Sequence, residues 1–133
     1  MDREITIDDE EFMSVAISIF DGLKSFFGGK LQNIVLVVED QPSEEQLQSL
    51  NIKNNQQLLG LYQGCPYSNR GVRYNLVAPD KIVLFKNNIE QRAKSKEEIP
   101  DIIEKVLIHE IGHYLGLGEQ KLRLLEKKNK VRF

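Results

Sequence analysis

The chain has 133 residues, of which 41% are hydrophobic and 29% charged, with a formal net charge of -2. That length predicts one domain, residues 1–133, with a core large enough to need no disulfide staples, and the composition excludes disordered and fibrous classes. The weakly acidic balance gives no electrostatic reason to expect nucleic acid, the single Cys65 excludes a disulfide framework within the chain, and no apolar run approaches the ~20 residues of a membrane span. The opening residues, from Met1-Asp2-Arg3-Glu4 through Asp8-Asp9-Glu10-Glu11, are acidic and lack the basic-then-apolar order of a signal peptide, so a soluble cytoplasmic protein is expected.

The first periodic segment holds Phe12, Val15, Ala16, Ile19, Leu23, Phe26 and Phe27 at helical spacing. Asp8 or Asp9 is placed to cap this helix, and Gly28-Gly29 to end it. Ile34-Val35-Leu36-Val37-Val38 is a short β-branched run bounded by polar residues and reads as a strand buried on both faces. Ser43-Glu44-Glu45-Gln46 has capping-box spacing, and a short helix follows through Leu50. Residues 51–57 are polar and read as a loop. Leu58-Leu59-Gly60-Leu61-Tyr62-Gln63 reads as a strand closed by Gly64-Cys65-Pro66, and Ser68-Asn69-Arg70-Gly71 as a turn.

Lys81-Ile82-Val83-Leu84-Phe85-Lys86 is the clearest strand, followed by one or two helical turns over 87–94. Ser95-Lys96-Glu97-Glu98 repeats the capping-box pattern. Ile99, Ile102, Ile103, Val106, Leu107 and Ile111 then keep helical period as far as about Leu115. Pro100 restricts the start, because proline is tolerated only in the first turn. Gly116 suits a left-handed residue just past the helix end. A last helix is expected over about 119–128. The order of elements predicts an α+β (mixed α/β) fold, a small mixed sheet with helices packed on it.

The chemistry concentrates in His109-Glu110-Ile111-Gly112-His113. Residues four apart on a helix are neighbours on one face, with Cβ atoms about 5–6 Å apart, so two imidazoles can each give a nitrogen to one ion. Glu110, turned about a quarter circle from His109, can reach a water on the metal without being a ligand. A catalytic zinc takes three protein ligands and a water, and a nearby carboxylate takes the proton of that water as it attacks a carbonyl. The chain has two histidines, and both lie in the motif. Random placement gives their spacing about 1.5% of the time, and roughly one in 700 with the adjacent glutamate. Glu110 is therefore the expected catalytic base, and His109 and His113 are expected metal ligands with Zn2+ as cofactor.

For a third ligand the sequence offers Glu119. It lies beyond Gly116, where a positive φ can fold the chain back toward the metal. Glu126 is the competitor, and Glu119 could instead simply open the last helix. Gly112 is either a point of close approach or a tolerated small residue. Tyr62, Tyr67 and Tyr114 are candidates to stabilise an oxyanion, with core or rim packing as the plainer role. Cys65 reads as a buried thiol rather than a ligand. Lys127-Lys128-Asn129-Lys130-Val131-Arg132 reads as a solvated basic helix end rather than a nucleic-acid patch.

The run from His109 to Glu119 resembles the extended zincin motif H-E-x-x-H-x-x-G-x-x-[H/D]. More narrowly, the chain is similar to the small bacterial zincin-like metallopeptidases, sometimes called minimal metalloproteases. Leu58-Leu59-Gly60-Leu61-Tyr62-Gln63-Gly64 resembles that family's L-L-G-L-Y-x-G, and Pro79-Asp80-Lys81-Ile82-Val83-Leu84-Phe85 its P-D-[RK]-I-x-[IL]-[FY]. With the first helix and residues 34–40, the likeness covers roughly residues 5–126. It implies a compact zincin-like domain whose metal is held by His109, His113 and residue 119. The family usually has aspartate at that third position, and glutamate is one methylene longer. Both methionines, Met1 and Met13, precede the motif, so the methionine turn of metzincins is not matched. By analogy with zincins, either the 58–63 or the 81–86 strand could pair with an extended substrate as an edge strand.

The leading expectation is a zinc metallopeptidase, a hydrolase acting on a peptide or protein substrate. The alternative is a zinc-binding interaction domain with little or no proteolysis. A third reading, a metal-dependent ribonuclease, is disfavoured by the Glu110 base and the acidic charge.

Overall fold

The computed structural model describes residues 5–31, 33–64 and 80–118. Expectations for Cys65, Tyr67, the 68–71 turn, Glu119, Glu126, the 119–128 helix and the 127–132 basic stretch lie outside them.

The chain opens with helix α1 (Asp9–Phe27). Strand β1 (Ile34–Glu39) follows, then helix α2 (Glu44–Ser49) and strand β2 (Gly60–Gln63). Strand β3 (Asp80–Phe85) runs directly into helix α3 (Lys86–Arg92), and helix α4 (Ile99–Tyr114) carries the histidines. The strands form one sheet in the order β1-β3-β2, with β1 parallel and β2 antiparallel to the central β3. The expected α+β architecture is present, and among the described residues no helix is long and apolar enough to cross a membrane.

Side chains alternate across a strand, so one face of the sheet presents Ile34, Leu36, Val38, Ile82 and Leu84 together, with Leu36 opposite Ile82 and Val38 opposite Leu84. That face meets Phe12, Ala16 and Phe20 of α1 and Ile103, Val106, Leu107 and Ile111 of α4 in a single core. The register also corrects one expectation. Among the described residues β1 is an edge strand, with Val35 40% exposed, whereas β3 in the centre buries Ile82, Val83, Leu84 and Phe85. A short β-branched run cannot by itself reveal whether its strand lies in the middle of a sheet or at its rim.

The first capping box forms, with Ser43 Oγ accepting from Gln46 N and Gln46 Oε1 accepting from Ser43 N. The second does not. Ser95 makes no side-chain cap; instead Glu98 Oε1 accepts from Lys94 N, and a 3-10 turn over Lys96–Glu98 leads into α4 with Pro100 in the first turn.

Two polar anchors tie α3 to its neighbours. The Asn88 amide on α3, itself buried, donates to the Asn55 and Leu58 carbonyls, which fixes the segment entering β2. Lys86 lies between Glu90, at 2.9 Å, and Asp9, at 3.1 Å. Glu90 also accepts from Ile7 N, so the chain ahead of α1 is tied to α3.

Candidate metal centre

The apolar residues of α4 face the core, which leaves His109 and His113 half-buried on the side toward an open cleft. Their rings lie edge to face with centroids 4.9 Å apart. Glu110 is 8% exposed and sits at the wall between α4 and β2. One nitrogen of each histidine and one oxygen of Glu110 all lie within 4.8 Å of one another. The structure thus brings three of the four sequence-expected site residues together; the fourth, Glu119, lies outside the described residues.

The end of α4 follows from Gly116. With φ +86 it lets Leu117 N reach the Gly112 carbonyl while its own N–H reaches the His113 carbonyl, both at 2.9 Å. This paired closure is the Schellman arrangement. It satisfies carbonyls of the last turn, so His113 stands on closed helix rather than a frayed end, and it turns the chain immediately after the second histidine.

Sequence reasoning missed how Glu110 is held. Its Oε1 accepts a hydrogen bond from the main-chain N–H of Tyr62 in β2 at 2.9 Å. The Tyr62 hydroxyl in turn donates to Asp80 Oδ2 at 2.7 Å. A backbone donor has no residue-type signature, so no motif could have announced it. Tyr114 is fully buried and packs edge-on against the Tyr62 ring, 5.9 Å between centroids, which is the core role rather than the oxyanion one. Asp80 is 3% exposed and was not singled out as a site residue.

The cleft has a volume of about 710 Å³. Leu50, Ile52, Leu58, Leu61 and Leu117 line it around the histidines. Of the two strands considered as substrate edges, β3 is excluded because both its sides are paired. Among the described residues, β2 is the sheet edge that borders the cleft.

The profile of the zincin-like metallopeptidases matches residues 31–129. The chain belongs to the zincin-like metallopeptidase family. No curated protein shows a significant match to it. Membership of the zincin-like metallopeptidases implies a metal, usually zinc, and the donor set fits one: two imidazoles on one helix face with a carboxylate between them.

Proposed function

We propose that this zincin-like protein is a zinc-dependent metallopeptidase in which His109, His113 and Glu119 hold the ion and Glu110 is the general base. The observation that carries the reading is the convergence of both imidazoles with the Glu110 carboxylate at the wall of a cleft roomy enough for a peptide. A bound zinc supplies a Lewis acid that polarises the scissile carbonyl and acidifies water.

The chain's own residues do the rest. Glu110 Oε1 accepts from the Tyr62 N–H, which orients the carboxylate that takes the proton of the attacking water. The same carboxylic acid then returns that proton to the leaving amine as the C–N bond breaks. The apolar walls from Leu50, Ile52, Leu58, Leu61 and Leu117 exclude water from the flanks of the bond and suit an extended peptide with apolar side chains. Gly116 supports Glu119 as third ligand by turning the chain just after His113.

The test is Glu110→Gln, which keeps the shape and removes the base. The variant should retain its zinc and lose peptide hydrolysis by at least a hundredfold, within the ~10²–10⁴ that general-base catalysis contributes. Undiminished turnover would sink the mechanism. Zinc retention by wild type with no cleavage across a broad peptide library would favour an interaction domain instead.

A further inference from the structure

Residues 58–64 and the stretch beginning at Asp80 are two family-like segments that supply no metal ligand. The structure joins them to each other and to Glu110. Gly60 and Tyr62 share one face of β2, as period-two alternation requires, and Gly64 follows just past the strand end. A Cβ on Gly60 would lie 2.4 Å from Val106 Cγ1 of α4, so β2 approaches the helix as closely as a backbone can. A Cβ on Gly64, at φ +150, would lie 2.4 Å from Asp80 Oδ1, so the strand end passes directly over that carboxylate. Between the two glycines, Tyr62 is held at both ends, its hydroxyl by Asp80 and its N–H by Glu110.

Asp80 is a firm anchor. It is the first residue of β3, lies opposite Ile34 of β1, and its N–H donates to the Asn33 carbonyl at 3.2 Å. Its buried carboxylate is therefore fixed relative to the sheet, and the Tyr62 hydroxyl transmits that fixed height to β2.

We propose that Asp80 and Tyr62 are positioning residues for Glu110: the Asp80–Tyr62 hydrogen bond sets the height of β2 at which the Tyr62 N–H meets Glu110 Oε1. The proposal rests on the reading of Glu110 as the base. A carboxylate acting on a water must present one defined oxygen, and a displacement of about 1 Å at a reacting group can cost on the order of 100-fold in rate. The donor that aims Glu110 belongs to the backbone and cannot be deleted by changing its own side chain. It can be moved through what holds its strand, and the Asp80 hydrogen bond to the Tyr62 hydroxyl is the side-chain hold nearest that donor, beside the β2–β3 ladder.

Tyr62→Phe keeps the ring against Tyr114 and removes only the hydroxyl. Asp80→Asn keeps an acceptor oxygen for that hydroxyl. On a peptide substrate, Tyr62→Phe should lower kcat about tenfold with KM and zinc content unchanged, and Asp80→Asn should stay within about threefold of wild type. A purely structural bond would lower the melting temperature and leave kcat of the folded protein alone. A second readout needs no turnover. In the metal-free protein the Tyr62 amide proton should move upfield in Glu110→Gln, where its charged acceptor is lost, and in the same direction in Asp80→Ala. A Tyr62 amide that Asp80→Ala leaves in place, or wild-type kcat in Tyr62→Phe while Glu110→Gln is inactive, overturns the proposal. Full turnover in Glu110→Gln overturns the hydrolytic reading instead, and the amide shift then decides the positioning claim alone.

Discussion

Replacing Gly60 by alanine tests the packing that brings β2 against the site helix. The added Cβ would lie 2.4 Å from Val106 Cγ1 and 3.1 Å from the Val83 carbonyl oxygen. Carbon atoms settle about 3.5–4.0 Å apart, so one partner must retreat by more than ~1 Å. Val106 is β-branched on a helix and has essentially one rotamer, and the Val83 oxygen is backbone in the central strand. Neither yields cheaply. Overpacking of this kind costs about 1–3 kcal/mol, offset by about 0.4–1 kcal/mol because alanine restricts the unfolded chain more than glycine does. The net expectation is a loss of about 1–2 kcal/mol, or a melting temperature lower by roughly 3–10 °C. Urea denaturation should show a lower midpoint at unchanged slope. Val106→Ala alone should cost about 2 kcal/mol, yet the double variant should cost at least about 1 kcal/mol less than the sum, because the new methyl takes the space the valine vacates. Full additivity, or a Gly60→Ala midpoint equal to wild type, would refute the close approach.

Gly116→Ala places a side chain at φ +86, which costs about 1–2 kcal/mol. The last turn of α4 should fray, and calorimetric titration should show zinc affinity reduced up to about tenfold. Lys86→Met strands the buried Glu90 carboxylate and should destabilise by about 3 kcal/mol in chemical denaturation. For Lys86 itself, burial lowers the pKa, but the hydrogen bonds and charges of Glu90 and Asp9 outweigh it, and the value is raised above 10.5. A raised lysine pKa contributes stability that is complete below the unfolded value and lost as pH rises through the folded one. The difference between wild type and Lys86→Met should therefore be flat through neutral pH and shrink above about 10.5; a difference that shrinks toward acid in the neutral range would contradict the pairing.

Much of this fold was legible because helical periodicity is a local property. The spacing of Phe12, Ala16 and Phe20, and of Ile99, Ile103 and Ile111, marks faces that the structure buries. The i,i+4 spacing of His109 and His113 likewise fixed their common face, and Gly116 marked where α4 ends. Strand order was not legible. Ile34-Val35-Leu36-Val37-Val38 and Lys81-Ile82-Val83-Leu84-Phe85 look alike as runs, yet one is an edge and the other the centre, which depends on long-range pairing. Ser95 shows the limit of cap patterns: Glu98 found the Lys94 N–H instead, and proline directed the start of α4. The support of Glu110 escaped the sequence for a different reason. It joins residues 48 positions apart through a main-chain N–H, and any residue type at position 62 other than proline could supply that donor. Only the neighbouring side-chain link, Tyr62 to Asp80, leaves a trace in residue identity.

The claim that His109 and His113 share a metal is tested most directly by metal analysis of protein purified without chelator, wild type beside His109→Ala and His113→Ala. Wild type should carry close to one zinc per chain, and each variant should lose it while keeping the circular dichroism of the folded chain. Metal-free wild type, or folded variants that hold zinc as tightly as wild type, would contradict the site.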